Sequence, residues 1–154
     1  MDESAASVTE DRILGGRLTL RQPAKGYRAG VDAALLAAAC DARPGDRVFE
    51  AGCGVGAVML AAAARRPGAI FVGLEREAAA CELARQNIAA NGLADRVSVA
   101  AGEVAGAEGA PGTRFDAALC NPPFFDDPAA LRAPHPAKAA PGWPRMVWRP
   151  GPRC

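Results

Sequence analysis

Apolar and polar residues alternate over Ile13–Arg21 around Gly15-Gly16, a spacing that predicts a small hairpin or ribbon. Asp32 follows the glycine-bearing stretch GYRAG and opens VDAALLAAAC, which reads as a short helix ended by Pro44-Gly45. From there the pattern becomes regular. Arg47–Ala51 reads as a strand, Val55–Arg66 as a helix, and Pro67-Gly68 as its stop. Ala69–Leu74 is a second strand, Glu77–Asn91 a helix closed by Asn91-Gly92, and Arg96–Ala100 a third strand. A Gly/Ala/Glu-rich stretch with at most one helical turn leads to a fourth strand, Phe115–Cys120. Strands alternating with helices of this length imply right-handed crossovers and a parallel sheet, hence an α/β fold.

Composition divides the chain at Asp127. Residues 1–127 carry a net charge of −4, whereas 128–154 carry +5 with no acid and hold seven of the thirteen prolines. We therefore expect a disordered leader over 1–11 and one domain over 12–127, made of an N-terminal hairpin and helix (12–45) and a core (46–127). A Pro/Arg-rich irregular tail over 128–154 would follow. On this reading the sheet stops at its fourth strand, and the tail reads as the product of a shifted reading frame or a premature end. The polar, acidic N-terminus does not read as a signal peptide, and the longest apolar run, Ala57–Ala64, is too short to span a bilayer. Five cysteines without CxxC or Cys/His spacing suggest reduced thiols in a cytoplasmic protein and no metal site.

Two short motifs carry the chemistry. The first, Glu50-Ala51-Gly52-Cys53-Gly54-Val55-Gly56, joins the Arg47–Ala51 strand to its helix. Gly52, Gly54 and Gly56 permit a tight turn and close approach of a ligand to the backbone, and the helix start offers free N–H donors. Gly52, Gly54 and Ala57 also fit a dinucleotide fingerprint. Glu50 argues against it, since a carboxylate there welcomes a cation and repels a pyrophosphate. Glu75, ending the second strand, is placed to accept from ribose hydroxyls, which either cofactor would have. Glu103, just past the third strand, is placed to accept from an adenine amino group or to be a solvated loop acid.

The second motif, Asn121-Pro122-Pro123-Phe124, follows the fourth strand at the carboxyl edge, where open α/β sheets bind ligands. The lone pair of a planar exocyclic amine is delocalised into its ring. Carbonyls of Asn121 and Pro122, accepting one N–H each, would turn that pair out of plane, and two prolines stiffen the acceptors. Phe124 offers a stacking face. The lone histidine, His135, lies in the tail, and no histidine relay is expected.

Together these residues resemble the class I methyltransferases that modify amino or amide nitrogens, most of all the bacterial tRNA (adenine-N6)-methyltransferases acting on a valine tRNA. The resemblance covers residues 12–135 and includes GYRAGVDAALLA, EAGCGVG, FVGLE and NPPFF. It implies a Rossmann-like three-layer sandwich, here apparently truncated after the fourth parallel strand, with S-adenosyl-L-methionine as cofactor and tRNA or another RNA as partner. Glu50 and the loop glycines would hold the methionine moiety, Glu75 the ribose, Glu103 the adenine, and Asn121–Phe124 the target amine. Arg28 and Asp32 would belong to a cofactor and substrate lid. Guanine-N2 rRNA and protein-glutamine enzymes have similar signatures, and a non-catalytic cofactor- or RNA-binding fragment is a further alternative. Arg12, Arg17, Arg21, Lys25 and Arg28 would track phosphates, or form the solvated face of a hairpin.

Overall fold

The computed structural model describes residues 7–26, 28–104 and 114–122. Its elements run β1 (Val8–Ile13), β2 (Leu18–Pro23), α1 (Val31–Ala39), β3 (Arg47–Ala51), α2 (Ala57–Arg65), β4 (Ile70–Glu75), α3 (Ala78–Ala90), β5 (Val97–Ala101) and β6 (Ala117–Cys120). The last four strands form a parallel sheet in the order β5-β4-β3-β6. After β3 the chain builds outward through β4 and β5, then returns to place β6 on the other side of β3. That reversal makes the carboxyl edge between β3 and β6 the switch point at which open α/β sheets bind ligands. The EAGCGVG loop leaves β3 there and NPPF leaves β6, so motifs distant in sequence become neighbours.

Strand alternation decides the core. Val48 on β3 and Phe71 on β4 point inward, and the same period carries inward to Glu50, Gly73 and Glu75. Two acids thus occupy the last inward position of their strands. Helix α2 is buried at Ala57 through Ala63, because mostly alanine side chains let it lie close to the sheet and to α1. Phe71, Leu20, Met59, Leu60 and Val48 supply most of the large buried side chains.

The N-terminal ribbon differs from expectation. Strand β1 begins at Val8, within the stretch expected as leader, and pairs antiparallel with β2 from Val8↔Pro23 to Ile13↔Leu18. Strand β2 is also held through its backbone. Asn87 Oδ1 accepts from Arg21 N at 2.7 Å while its Nδ2 donates to Arg21 O at 2.9 Å. Asn91, one helical turn further along α3, makes the same two bonds with Thr19 N and O at 2.9 and 2.7 Å. Residues at i and i+4 on a helix lie about 6 Å apart, close to the two-residue repeat of a strand. The two amides therefore pair with β2 as a neighbouring strand would. The described cysteines are free thiols, with Cys40, Cys53 and Cys81 buried. No described helix is long and apolar enough to cross a membrane.

Candidate functional site

The loop after β3 is shaped by acceptors from two strands. Cys53 N donates to the Leu74 carbonyl at 3.0 Å, laying the loop across the end of β4. Gly54 N donates to Glu75 Oε2 at 2.7 Å, and Glu77 N donates to Glu75 Oε1 at 2.9 Å. One carboxylate thereby braces both the loop after β3 and the turn into α3. A carboxylate has about four lone-pair sites, so Glu75 keeps capacity for two further donors. Gly102 N, donating to the Glu75 carbonyl at 2.9 Å, brings exposed Glu103 next to this strand end.

Gly52, Gly54 and Gly56 have φ of 66°, 56° and 85°, a region that L side chains rarely adopt. A Cβ on Gly52 or Gly54 would meet nothing within 4 Å, whereas one on Gly56 would lie 3.0 Å from Met59 Cε. The first two glycines therefore face open space and the third faces the core. Gly73 is needed for closeness alone: a Cβ there would lie 2.6 Å from Cys53 Sγ. The open backbone, the N–H donors of the loop and the acceptor capacity of Glu75 fit a nucleoside cofactor.

Glu50 is only 2% exposed, and its Oε2 accepts from Met59 N at 3.0 Å in the first turn of α2. Burial pushes its carboxyl up to about 8, the Met59 bond opposes that rise, and the negative Glu75 nearby adds to it. A cation seated beside Glu50 would reverse this by favouring the carboxylate. Burial also pushes the Cys53 thiol far up, with Glu50 and Glu75 adding to the effect. Cys53 is thus a protonated packing group against Gly73, not a nucleophile.

At the end of β6, half-buried Asn121 donates from Nδ2 to Asp32 Oδ2 at 2.9 Å. Pro122 is exposed. Pro123, Phe124 and the tail over 128–154 lie outside the described residues. Asp32 stands in the first turn of α1, so this bond carries the N-terminal segment to the NPPF motif.

The sequence pattern of the methyltransferase small domain family matches residues 28–133. The chain belongs to this family. Among the relatives of the domain, a tRNA1(Val) (adenine(37)-N6)-methyltransferase of Porphyromonas gingivalis is 34% identical over 125 residues, covering 77% of this chain and 48% of the relative. A protein-L-isoaspartate O-methyltransferase of Methylorubrum populi is 43% identical over 101 residues, covering 64% and 44%. A SAM-dependent methyltransferase from Thiobacillus denitrificans, solved with S-adenosyl-L-homocysteine, superposes with a TM-score of 0.51 at 27% identity, covering 60% of this chain and 36% of that one. The chain spans less than half the length of the tRNA-modifying relatives it matches first, 41% and 48%.

Within this methyltransferase domain, Glu50, Gly52, Gly54, Gly56 and Glu75 gather around one loop, as expected. Among the described residues, Arg28 bonds to the ribbon. Its guanidinium donates to Thr9 Oγ1, the Pro23 carbonyl and Asp11 Oδ2 at 2.7, 2.9 and 2.7 Å, which ties the approach to α1 onto the ribbon. Two of the five cations expected along phosphates are ion-paired, Arg28 with Asp11 and Arg21 with Glu10. Sequence reasoning missed Asn87, which also donates from Nδ2 to the Val55 carbonyl at 2.9 Å and so links the ribbon to the glycine loop. The available signal was an asparagine at a buried position of α3, flanked by Ala84 and Ile88. Among the described residues, no three His, Cys, Asp or Glu side chains gather as metal ligands would.

Proposed function

We propose that the chain is the cofactor-binding part of an S-adenosyl-L-methionine-dependent N-methyltransferase acting on adenine N6 in tRNA. The observation that supports this reading is that a braced glycine loop, with acids on two strands, and an asparagine whose amide donates to Asp32 follow neighbouring strands at the carboxyl edge of the sheet. Glu75 would accept from the ribose hydroxyls and exposed Glu103 from the adenine amino group. Buried Glu50 would balance the positive charge of the methionine moiety. The cofactor supplies a methyl group on a cationic sulfur. Asn121 Oδ1 and the Pro122 carbonyl would each accept an N–H of the target amine, and Phe124 would stack on its ring, worth roughly 1–3 kcal/mol.

Held this way, the amine nitrogen would turn its lone pair toward the methyl group that the cofactor would supply. The new N–C bond would take the place of the C–S bond, whose electron pair would stay with sulfur, and the nitrogen would lose one proton to water. Because the leaving group is neutral, positioning rather than acid catalysis does the work, in keeping with a site that needs no histidine. Family membership and the tRNA-modifying relatives support the reading, and cytoplasmic residence would go with it.

The test is titration calorimetry of the 154-residue protein with S-adenosyl-L-methionine and, separately, NAD, followed by transfer of labelled methyl to a valine tRNA transcript. Binding of the first ligand alone, with label in N6-methyladenosine, is the expected result. Label appearing only in rRNA guanine or in a release-factor peptide would move the substrate to another amine. NAD binding, or no binding of either ligand, would sink the proposal.

A further inference from the structure

The bond between Asp32 and Asn121 spans 89 residues of sequence and joins the first turn of α1 to the end of β6. We infer that Asp32 is a positioning residue that fixes which end of the Asn121 amide is offered to the substrate. This inference rests on the N-methyl transfer proposed above. The two ends of a carboxamide are nearly equal in size and opposite in chemistry, since the NH2 donates and the C=O accepts. An ionised carboxylate only accepts. The end of Asn121 that faces Asp32 must therefore be its NH2, and the carbonyl is turned away from α1. The flipped amide would set oxygen against oxygen.

A second feature keeps Asp32 in place. Gly30, the residue capping α1, has φ −113° and ψ −162°, extended backbone that any residue adopts, so conformation does not require glycine there. A Cβ on residue 30 would lie 2.8 Å from Asp32 Oδ1, so a side chain there would displace that carboxylate. This position commonly carries Ser, Thr, Asp or Asn to cap the helix. Here it makes no side-chain cap bond, and its bareness makes room for the Asp32 carboxylate. Negative charge in the first turn is also favoured by the helix dipole. The consequence for substrate class is direct. With its NH2 held by Asp32, Asn121 reads its target as an acceptor, which selects a group with an N–H to give and disfavours a keto oxygen or a ring nitrogen without hydrogen.

Nitrogen-15 NMR of the full chain tests the assignment whether or not methyl transfer occurs. The Asn121 side-chain amide is identified by its loss in Asn121→Ala. In the wild type one of its protons should be shifted downfield and slow to exchange. Asp32→Ala should diminish both signs, and Asp32→Asn, whose carbonyl can still accept, should diminish them less. An Asn121 amide identical in the wild type and Asp32→Ala would overturn the inference. In the transfer assay Asp32→Ala should lower kcat about 10²-fold, the scale of a small misplacement, and by more than it raises KM. Asp32→Asn should recover most of that loss. Unchanged kcat in Asp32→Ala would refute the positioning role. Should Asp32→Ala not fold, Gly30→Ala serves instead, because crowding the carboxylate should weaken the same amide signal. A wild type that binds cofactor but methylates no amine would end the proposed function, while the amide signal still decides Asp32.

Discussion

The glycine loop after β3 is fastened by Glu50, Glu75 and the Leu74 carbonyl, groups that lie within the β3-α2-β4 unit itself. Asn121 reaches across to α1, where its Nδ2 donates to Asp32 Oδ2. The first arrangement needs only β3, α2 and β4. The second needs α1 and the end of β6 together. Cofactor binding and amine orientation should therefore fail separately, and substitutions can show whether they do.

The largest effect is expected from Asn121→Ala. Transfer should fall about 10²–10³-fold, the cost of removing one preorganised group at a reacting centre, while calorimetry still finds full cofactor affinity. Loss of cofactor binding in that variant would mean the two halves are one unit. Glu75→Ala attacks the other half. It strands the Gly54 and Glu77 N–H groups, so cofactor affinity should fall more than roughly tenfold and stability by about 1–3 kcal/mol. Full affinity in Glu75→Ala would remove it from the cofactor site.

Asn87→Ala probes the joint between the halves. It leaves the Arg21 N–H and the Arg21 and Val55 carbonyls without the amide that pairs with them, and chemical denaturation should show a loss of about 2–3 kcal/mol. An unchanged midpoint would show that the ribbon is held by its other contacts.

The smallest effect concerns pH. The Glu50 carboxyl keeps its proton in the empty fold up to about 8, whereas the unfolded chain releases it near 4.5. Over that window the folded state binds more protons, so the empty protein loses stability as pH rises from about 4.5 toward 8. A cationic ligand favours the carboxylate, hence its affinity should rise with pH over the same range, at most about tenfold per unit. Glu50→Gln should flatten that rise. A flat wild-type profile would place the cation elsewhere.

Much of the core could be read in advance because its signals are local. Arg47–Ala51 has the strand bounds expected from its alternation, and glycine or proline marks the ends of α2 and α3. Glu50 stood out as a carboxylate beside the glycine loop, and Glu75 as an acid ending its strand. The ribbon was harder to read. A leader expected over 1–11 hides Thr9 and Asp11, which accept from Arg28. Nor does any local pattern announce that Asp32 will meet Asn121. That contact follows from the return of the chain to β6, a property of topology rather than of either segment.

The paired asparagines of α3 hold β2 only by its peptide groups, at Thr19 and Arg21. Peptide groups are the same whatever side chains they carry, so the dock is blind to the ribbon's outward sequence. Residues facing solvent along β1 and β2 are free to diverge without loosening the arm, whereas Asn87 and Asn91 are not. The fold thus keeps a fixed socket for an arm whose outer face can change.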